Sequence, residues 1–183
     1  MSDTATLERR AAILEISANG RRLEGYAATF GTETRIGNRF VEVIMPGAFS
    51  ASLKAGGDIL ALVDHDATRV LARTRSGTLR LSEDTRGLAF SLDLPGTTAG
   101  RDVLALAERG DLGGMSFGFS VRKNGESWLG DRRELHAVDL FEISVVSAFP
   151  AYPDTSVAAR SRLAFSPRLA IARRYLDLME AMR

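Results

Sequence analysis

The feature that most constrains this fold is a series of short runs, between residues 12 and 94, in which apolar and polar residues alternate. Alternation with a period of two places apolar side chains on one face of a β-strand and polar side chains on the other. Turn signals separate the runs, Asn19-Gly20 after the first and Ser76-Gly77 after the fifth. The runs are AILEISA, RRLEGYAATF, RFVEVIM, DILALVD, RVLART, GTLRLSE and GLAFSLDL. The pattern predicts an antiparallel sheet rich in hairpins.

Segments with helical patterns interrupt or follow these strands. Residues 46–57 begin with proline, which suits the first turn of a helix, and end in a glycine pair. Residues 97–112 begin with a threonine N-cap candidate and have a C-terminal glycine at 110. Residues 168–183 carry an apolar stripe at helical spacing. We therefore predict a mainly β fold with helices, in the α+β class.

The length of 183 residues suits one domain with an appended tail. We expect a flexible N-terminus over residues 1–11 and a β domain over residues 12–154. A linker is expected over residues 155–167, because prolines precede it and small polar residues fill it. The amphipathic helix at 168–183 then either packs on its own domain or binds a partner, a second copy of the chain included.

Composition excludes several classes of function. With 24 basic and 23 acidic residues, the chain has no overall field to attract nucleic acid or an anionic membrane. Disulfides, thiolate catalysis and Cys-ligated zinc are ruled out because cysteine is absent. The two histidines lack metal-ligand spacing and no phosphate-binding glycine loop is present, so we expect neither metal nor cofactor. No leader or membrane-spanning pattern is found, which predicts a cytoplasmic protein.

The stretch GDLGGMSFGFSV, residues 110–121, is the strongest candidate for chemistry. As a strand it points its large apolar residues to one face and Ser116 with Gly118 to the other. Gly118 would leave room for a substrate backbone, and the N–H groups of Gly113 and Gly114 could face an oxyanion. The alternative is a strand whose small residues serve only close packing.

A serine nucleophile needs a base, and the sequence offers two histidines. His65 lies in LALVDHD at the end of an apolar strand, and His136 lies in the long strand-like segment after Ser116. Glu142 interrupts the apolar run of LFEISVV, where a carboxylate needs a partner or a solvated edge. As a partner, it would accept the imidazole N–H of His65. The plain alternatives are surface histidines and an edge glutamate.

Six stretches, occurring in order between residues 25 and 157, resemble one known family. They are GYAATFG, IMPGAFSASL, ALVDHD followed by LART, RGLAFSLDLP, GDLGGMSFGFSV and LFEISVVSAFPAYPDT. Together they are similar to the prohead (capsid maturation) proteases of HK97-like tailed bacteriophages and phage-like particles. The resemblance implies an antiparallel β-barrel surrounded by helices, similar in fold to the herpesvirus assembly proteases.

The resemblance also implies an activity and a set of residues. The nucleophile would be Ser116, the base His65 and the third member Glu142, with His136 as the alternative because herpesvirus enzymes use a second histidine. The substrates would be scaffold, or the N-terminal scaffolding segment of the major capsid protein, and the enzyme itself. Cleavage would occur inside the immature capsid in the bacterial host. The competing hypothesis is a catalytically inert β-barrel module that binds capsid or scaffold protein.

Overall fold

The computed structural model describes residues 6–12 and 16–147, and more than half of them lie in strands. Within these residues the helices are α1 (Ser50–Lys54) and α2 (Thr98–Arg109), with a single 3₁₀ turn at Thr74–Ser76. The strands are β1 (Glu8–Ala12), β2 (Ile16–Asn19), β3 (Arg22–Thr29), β4 (Thr34–Ile36), β5 (Phe40–Ile44), β6 (Leu60–Val63), β7 (Asp66–Arg73), β8 (Leu79–Glu83), β9 (Gly87–Asp93), β10 (Gly114–Val121), β11 (Glu126–Leu129), β12 (Arg132–Leu135) and β13 (Val138–Val146). The prediction of a mainly β fold with helices is confirmed.

The strands form three sheets with the orders β1-β10-β13-β6-β7, β11-β12-β5-β4 and β2-β3-β9-β8. Most neighbours are antiparallel, as predicted, but β13 pairs with β6 and β12 pairs with β5 in parallel. The antiparallel β-barrel that the resemblance implies is not confirmed. Each of these three sheets has two different end strands, so none closes on itself within the described part of the chain.

Strand β10 carries the centre of the hydrophobic core. Its alternate residues Met115, Phe117 and Phe119 are all buried, as the period of two predicts. The Phe117 ring stacks on Phe119 at 5.3 Å between centroids and meets Phe49 edge-on at 5.5 Å. These rings pack one face of β10 into the core. Ser116 lies on the opposite face of the strand, away from these rings.

Two of the three predicted helices lie within the described residues and form, and one of them is shorter than predicted. Helix α2 has the expected caps, since the Thr97 hydroxyl accepts the N–H of Gly100 and Gly110 adopts a left-handed φ of +73°. Helix α1 is shorter than the predicted 46–57, because Gly47 has a φ of +88°, which no right-handed helix accommodates. A short loop connects the end of α2 to the start of β10.

The N-terminal boundary differs from the prediction of a flexible segment over residues 1–11, because residues 8–11 belong to β1. Arg10 binds both carboxylate oxygens of Glu42, at 2.5 and 2.8 Å. Arg133 donates to Glu42 at 2.9 Å, and Glu8 accepts from both arginines. This cluster of Glu8, Arg10, Glu42 and Arg133, hereafter the charge cluster, fastens β1 to the domain.

Burial and contacts within the charge cluster shift the pKa values of two of its members, Glu8 and Arg133. Burial alone would raise the pKa of Glu8, but the hydrogen bond from Arg133 and the charges of Arg10 and Arg133 outweigh it and lower that pKa. Burial would lower the pKa of Arg133, but its hydrogen bond to Glu8 and the charges of Glu8 and Glu42 raise it. The contacts within the cluster therefore favour the charged forms of Glu8 and Arg133.

The predicted linker over residues 155–167 and the predicted helix over residues 168–183 lie outside the described residues. Among the helices that are described, neither is long and apolar enough to cross a membrane.

Candidate active site

His65 lies in a tight two-residue turn between β6 and β7. Both central residues of this hairpin have positive φ, +50° for Asp64 and +60° for His65, as in a type I′ turn. Glycine or asparagine usually fills such positions, and a strained residue costs about 1–3 kcal/mol. Asp64 offsets this cost: its N–H donates to the carbonyl of Val145 at 2.9 Å, and its carboxylate accepts both the N–H and the hydroxyl of Ser147. The turn is thereby fastened to the end of β13.

The imidazole of His65 contacts the carboxylate of Glu142 on β13. His65 Nδ1 lies 2.6 Å from Glu142 Oε1, and both side chains are largely buried. The other carboxylate oxygen, Oε2, accepts the hydroxyl of Ser144 at 2.6 Å. Since an ionised carboxylate only accepts, Nδ1 carries the ring proton, and we assign the neutral ring a free lone pair on Nε2. The arrangement can accept a proton at Nε2 and stabilise the resulting imidazolium.

Ser116 is on the neighbouring strand, on the same face of the sheet. It is directly opposite Ser144 in the β10–β13 pair, where side chains of facing residues share a face. Ser116 is only 1% exposed, and its hydroxyl donates to the carbonyl oxygen of Arg10 on β1 at 2.7 Å. The structure therefore brings the serine to the strand beside the His65–Glu142 pair, with its hydroxyl proton directed at β1.

Gly118 makes room for the side chain of Glu142. The two residues face each other across β10 and β13, and a Cβ atom added to Gly118 would lie 2.5 Å from Glu142 Oε1. Real Cβ atoms do not approach oxygen that closely, so any larger residue displaces the carboxylate. The substrate contact at Gly118 stays a prediction, and the His65–Glu142 pair adds a separate requirement for a residue without a side chain at this position.

The remaining predicted residues have different outcomes. The N–H of Gly113 donates to the carbonyl of Val146 at 2.8 Å, so it is not free to face an oxyanion, and that prediction is wrong for this conformation. Gly114 starts β10 with a φ of +137°, and its role stays a prediction. His136 lies in the connection before β13 rather than in a strand, and its Nε2 is 2.8 Å from the hydroxyl of Ser127. The histidine that contacts Glu142 is His65.

Two residues at the site, Arg9 and Ser144, were not among the predicted site residues. Arg9 on β1 faces Gly118, and its Nε atom lies 3.7 Å from Glu142 Oε1, buried and without a hydrogen-bond partner among the described residues. Ser144 bonds Glu142 from the same strand. The signal for Ser144 was present, since it is two residues from Glu142 and shares its face. No local signal marks Arg9, because β1 meets β10 only through the fold.

Metal ligation has no support in the part of the chain that the structure describes. No group of three or more histidines and carboxylates there is arranged to hold a metal ion. The site is thus built from a serine, a histidine, a glutamate and a nearby guanidinium.

Comparisons with known proteins agree with the fold and the motifs. A family model described as caudovirus prohead serine protease matches residues 6–166. The prohead protease of Enterobacteria phage HK97 is 28% identical over 149 residues, which is 80% of this chain. The chain covers 64% of that relative's length. The capsid assembly protease of bacteriophage T4 superposes with a TM-score of 0.53 at 9% identity, over 76% of this chain and 95% of that one. At that identity, the structural likeness concerns the fold alone.

Proposed function

The chain belongs to the caudovirus prohead serine proteases, and from that premise we propose that it is a serine endopeptidase of capsid maturation. Its substrates are the scaffold, or the N-terminal scaffolding segment of the major capsid protein, and its own chain. It acts inside the immature capsid, in the cytoplasm of the bacterial host, either alone or as a homodimer. The likeness to herpesvirus assembly proteases is part of the same proposal.

The contact between His65 Nδ1 and Glu142 Oε1, at 2.6 Å, is the observation that carries this function. It gives the ring one orientation and one tautomer, with Nε2 as the base. In the proposed reaction Nε2 takes the proton of Ser116, whose oxygen attacks the scissile carbonyl, and later gives that proton to the leaving amine. Glu142 stabilises the imidazolium between these steps. General-base assistance of this kind contributes about 10²- to 10⁴-fold in rate.

The proposed attack requires a change at Ser116. Its hydroxyl donates to the carbonyl of Arg10 in this conformation, and the side chain is buried. The hydroxyl must therefore rotate about the Cα–Cβ bond toward His65, and the substrate must gain access beside β1. Catalytic hydrogen bonds are commonly formed only in the substrate complex, so this geometry is compatible with a protease at rest.

The same burial of Ser116 favours a second candidate, a catalytically inert module that binds capsid or scaffold protein. Such a module would keep the fold and would need no accessible hydroxyl. The two candidates differ in whether His65 and Glu142 matter to processing.

The test compares three variants in cleavage of purified capsid precursor. His65→Ala and Glu142→Gln should each lose at least about 10²-fold in rate, because one removes the base and the other its negative partner. His136→Ala is the matched control, since that residue contacts Ser127 instead, and it should cleave normally. Cleavage by all three variants at the wild-type rate would refute the proposed function and favour the inert module. Loss confined to His136→Ala would move the base assignment to that residue.

A further inference from the structure

We propose that Ser144 is a positioning residue that holds the His65–Glu142 pair in its working geometry. This inference rests on the proposed function and assigns a further residue to it. Ser144 need not touch the substrate: it acts through the carboxylate of Glu142 and the turn that carries His65.

Ser144 contacts both members of the pair at once. Its hydroxyl donates to Glu142 Oε2 at 2.6 Å, while its oxygen accepts the backbone N–H of His65 at 3.2 Å. One side chain thus joins the carboxylate on β13 to the main chain of the turn between β6 and β7. If either partner moves, a contact to Ser144 is lost.

The hydrogen-bonding capacity of a serine sets the direction of these bonds. A hydroxyl has one proton to donate, and the N–H of His65 can only donate to it. The proton of Ser144 is therefore directed at Oε2 of Glu142, the acceptor it contacts. With Oε2 so engaged, Oε1 receives the Nδ1 proton of His65. The chain of bonds consequently favours the imidazole tautomer whose Nε2 is free to act as base.

Burial makes Ser144 hard to replace by water. Its side chain is fully buried, and the residues on either side of it, Ile143 and Val145, point into the core from the opposite face. A buried hydroxyl costs stability unless it is hydrogen-bonded. Without it, the N–H of His65 and Oε2 of Glu142 would each lose the hydrogen bond that Ser144 makes.

The hydrogen bond between the His65 N–H and Ser144 matters because the backbone of His65 is strained. The residue has a φ of +60°, which a non-glycine residue adopts only where the surroundings impose it. Asp64 fastens the first half of the turn to Val145 and Ser147, and Ser144 is what fastens the N–H of His65. Loss of Ser144 should therefore free the imidazole to swing, even with Glu142 in place.

The experiment is nitrogen NMR of the full chain with ¹⁵N-labelled histidine, combined with cleavage kinetics, for wild type and Ser144→Ala. The chain has two histidines, so His136→Ala assigns the signals. In mildly alkaline buffer, where a histidine ring is ordinarily neutral, wild-type His65 should show the Nδ1–H tautomer alone. Ser144→Ala should show a mixture, with kcat for the capsid precursor about 10- to 10²-fold lower and KM unchanged.

Two further variants make the result decisive. Ser120→Ala is the matched control, because it removes a buried serine hydroxyl from β10 away from His65 and Glu142, and it should match wild type in both readouts. If Ser144→Ala does not fold, Ser144→Cys avoids the cavity, at the cost of a somewhat larger side-chain atom, but supplies only a weak donor, and it should show the same mixture.

A folded Ser144 variant with the wild-type tautomer and kcat would overturn the inference. The NMR readout needs no cleavage, so the inference and the proposed function fail separately. A wild type that never cleaves but whose tautomer depends on Ser144 would refute the protease alone.

Discussion

Replacing Glu42 by glutamine should destabilise the protein by roughly 3 kcal/mol, at the lower end of the range for breaking a buried ion pair. Glu42 is 3% exposed and accepts three hydrogen bonds. Its Oε1 receives Arg10 Nε at 2.5 Å, and its Oε2 receives Arg10 Nη2 at 2.8 Å and Arg133 Nη1 at 2.9 Å. A glutamine side chain has a single oxygen. Its amide N–H₂ would therefore replace one of the two carboxylate oxygens and face a guanidinium N–H, and two donors cannot form a hydrogen bond.

The size of the effect follows from these contacts. A lost hydrogen bond to a charged group costs about 1.5–3 kcal/mol, and the two guanidinium groups also lose a negative charge in a buried place. Glu8, which contacts both arginines, remains and limits the loss. We therefore expect the lower end of the usual range rather than its upper end.

Urea unfolding followed by tryptophan fluorescence measures this change. Trp128 is the single tryptophan of the chain, and its ring lies 5.7 Å from the Arg133 guanidinium carbon, so it reports on the charge cluster. Asp58→Asn is the control, because its ion pair with Arg73 is largely exposed and should matter far less. If Glu42→Gln is as stable as Asp58→Asn, the reasoning about the charge cluster is wrong.

The remaining predictions concern pH and the site. The lowered pKa of Glu8, ordinarily 4.5, means that its contribution is complete above that value and disappears as the pH falls through its lower folded pKa. Wild type should therefore be more stable than Glu8→Gln at about pH 6, with the difference in urea midpoint shrinking below about pH 4.5; a difference independent of pH would contradict this. Gly118→Ala should reduce cleavage about 10²-fold by displacing the Glu142 carboxylate, since a misplacement of about 1 Å can cost that much. Gly57→Ala, where the added methyl meets open space, should cleave normally, and equal rates for the two variants would contradict the steric argument.

Local patterns were enough to predict the strand that carries Ser116, and they offered the pairing of His65 with Glu142 as one of two interpretations of that glutamate, the other being a solvated edge. The alternation in MSFGFSV separates a core face from a face of small residues, and Phe117 and Phe119 do lie in the core. A glutamate inside an apolar strand needs a partner, and the structure supplies the His65 imidazole at 2.6 Å. These inferences depend on strand periodicity and on the cost of buried charge, both of which are properties of short segments.

The features that the sequence left unpredicted depend on long-range pairing. Strand β1 joins β10 across more than a hundred residues, so neither the position of Arg9 beside Glu142 nor the acceptor that Arg10 offers to Ser116 has a local signal. Arg10 itself is buried, against the usual preference of arginine, because Glu42 neutralises it. The prediction of a flexible N-terminus missed β1, because the local sequence does not reveal a distant partner of opposite charge such as Glu42.

The parallel pairing of β13 with β6 is another long-range feature, and the site depends on it. The pairing places Ser144 opposite Leu62. The turn that follows β6 and carries His65 therefore lies beside Glu142. Alternation within each run predicts strands but not which strands become neighbours. The barrel that the resemblance implies is not confirmed, and closure likewise is a property of strand order rather than of any single run.

Intact mass tests the central claim most directly. Wild type and Ser116→Ala are each purified and incubated with and without the capsid precursor, and all chains are weighed by mass spectrometry. Fragments of the precursor, and of the protein itself, should form with wild type and be absent with Ser116→Ala. The same fragments from both proteins, or an intact precursor in assembling particles that contain wild type, would contradict the account of Ser116 as the nucleophile of a capsid maturation protease.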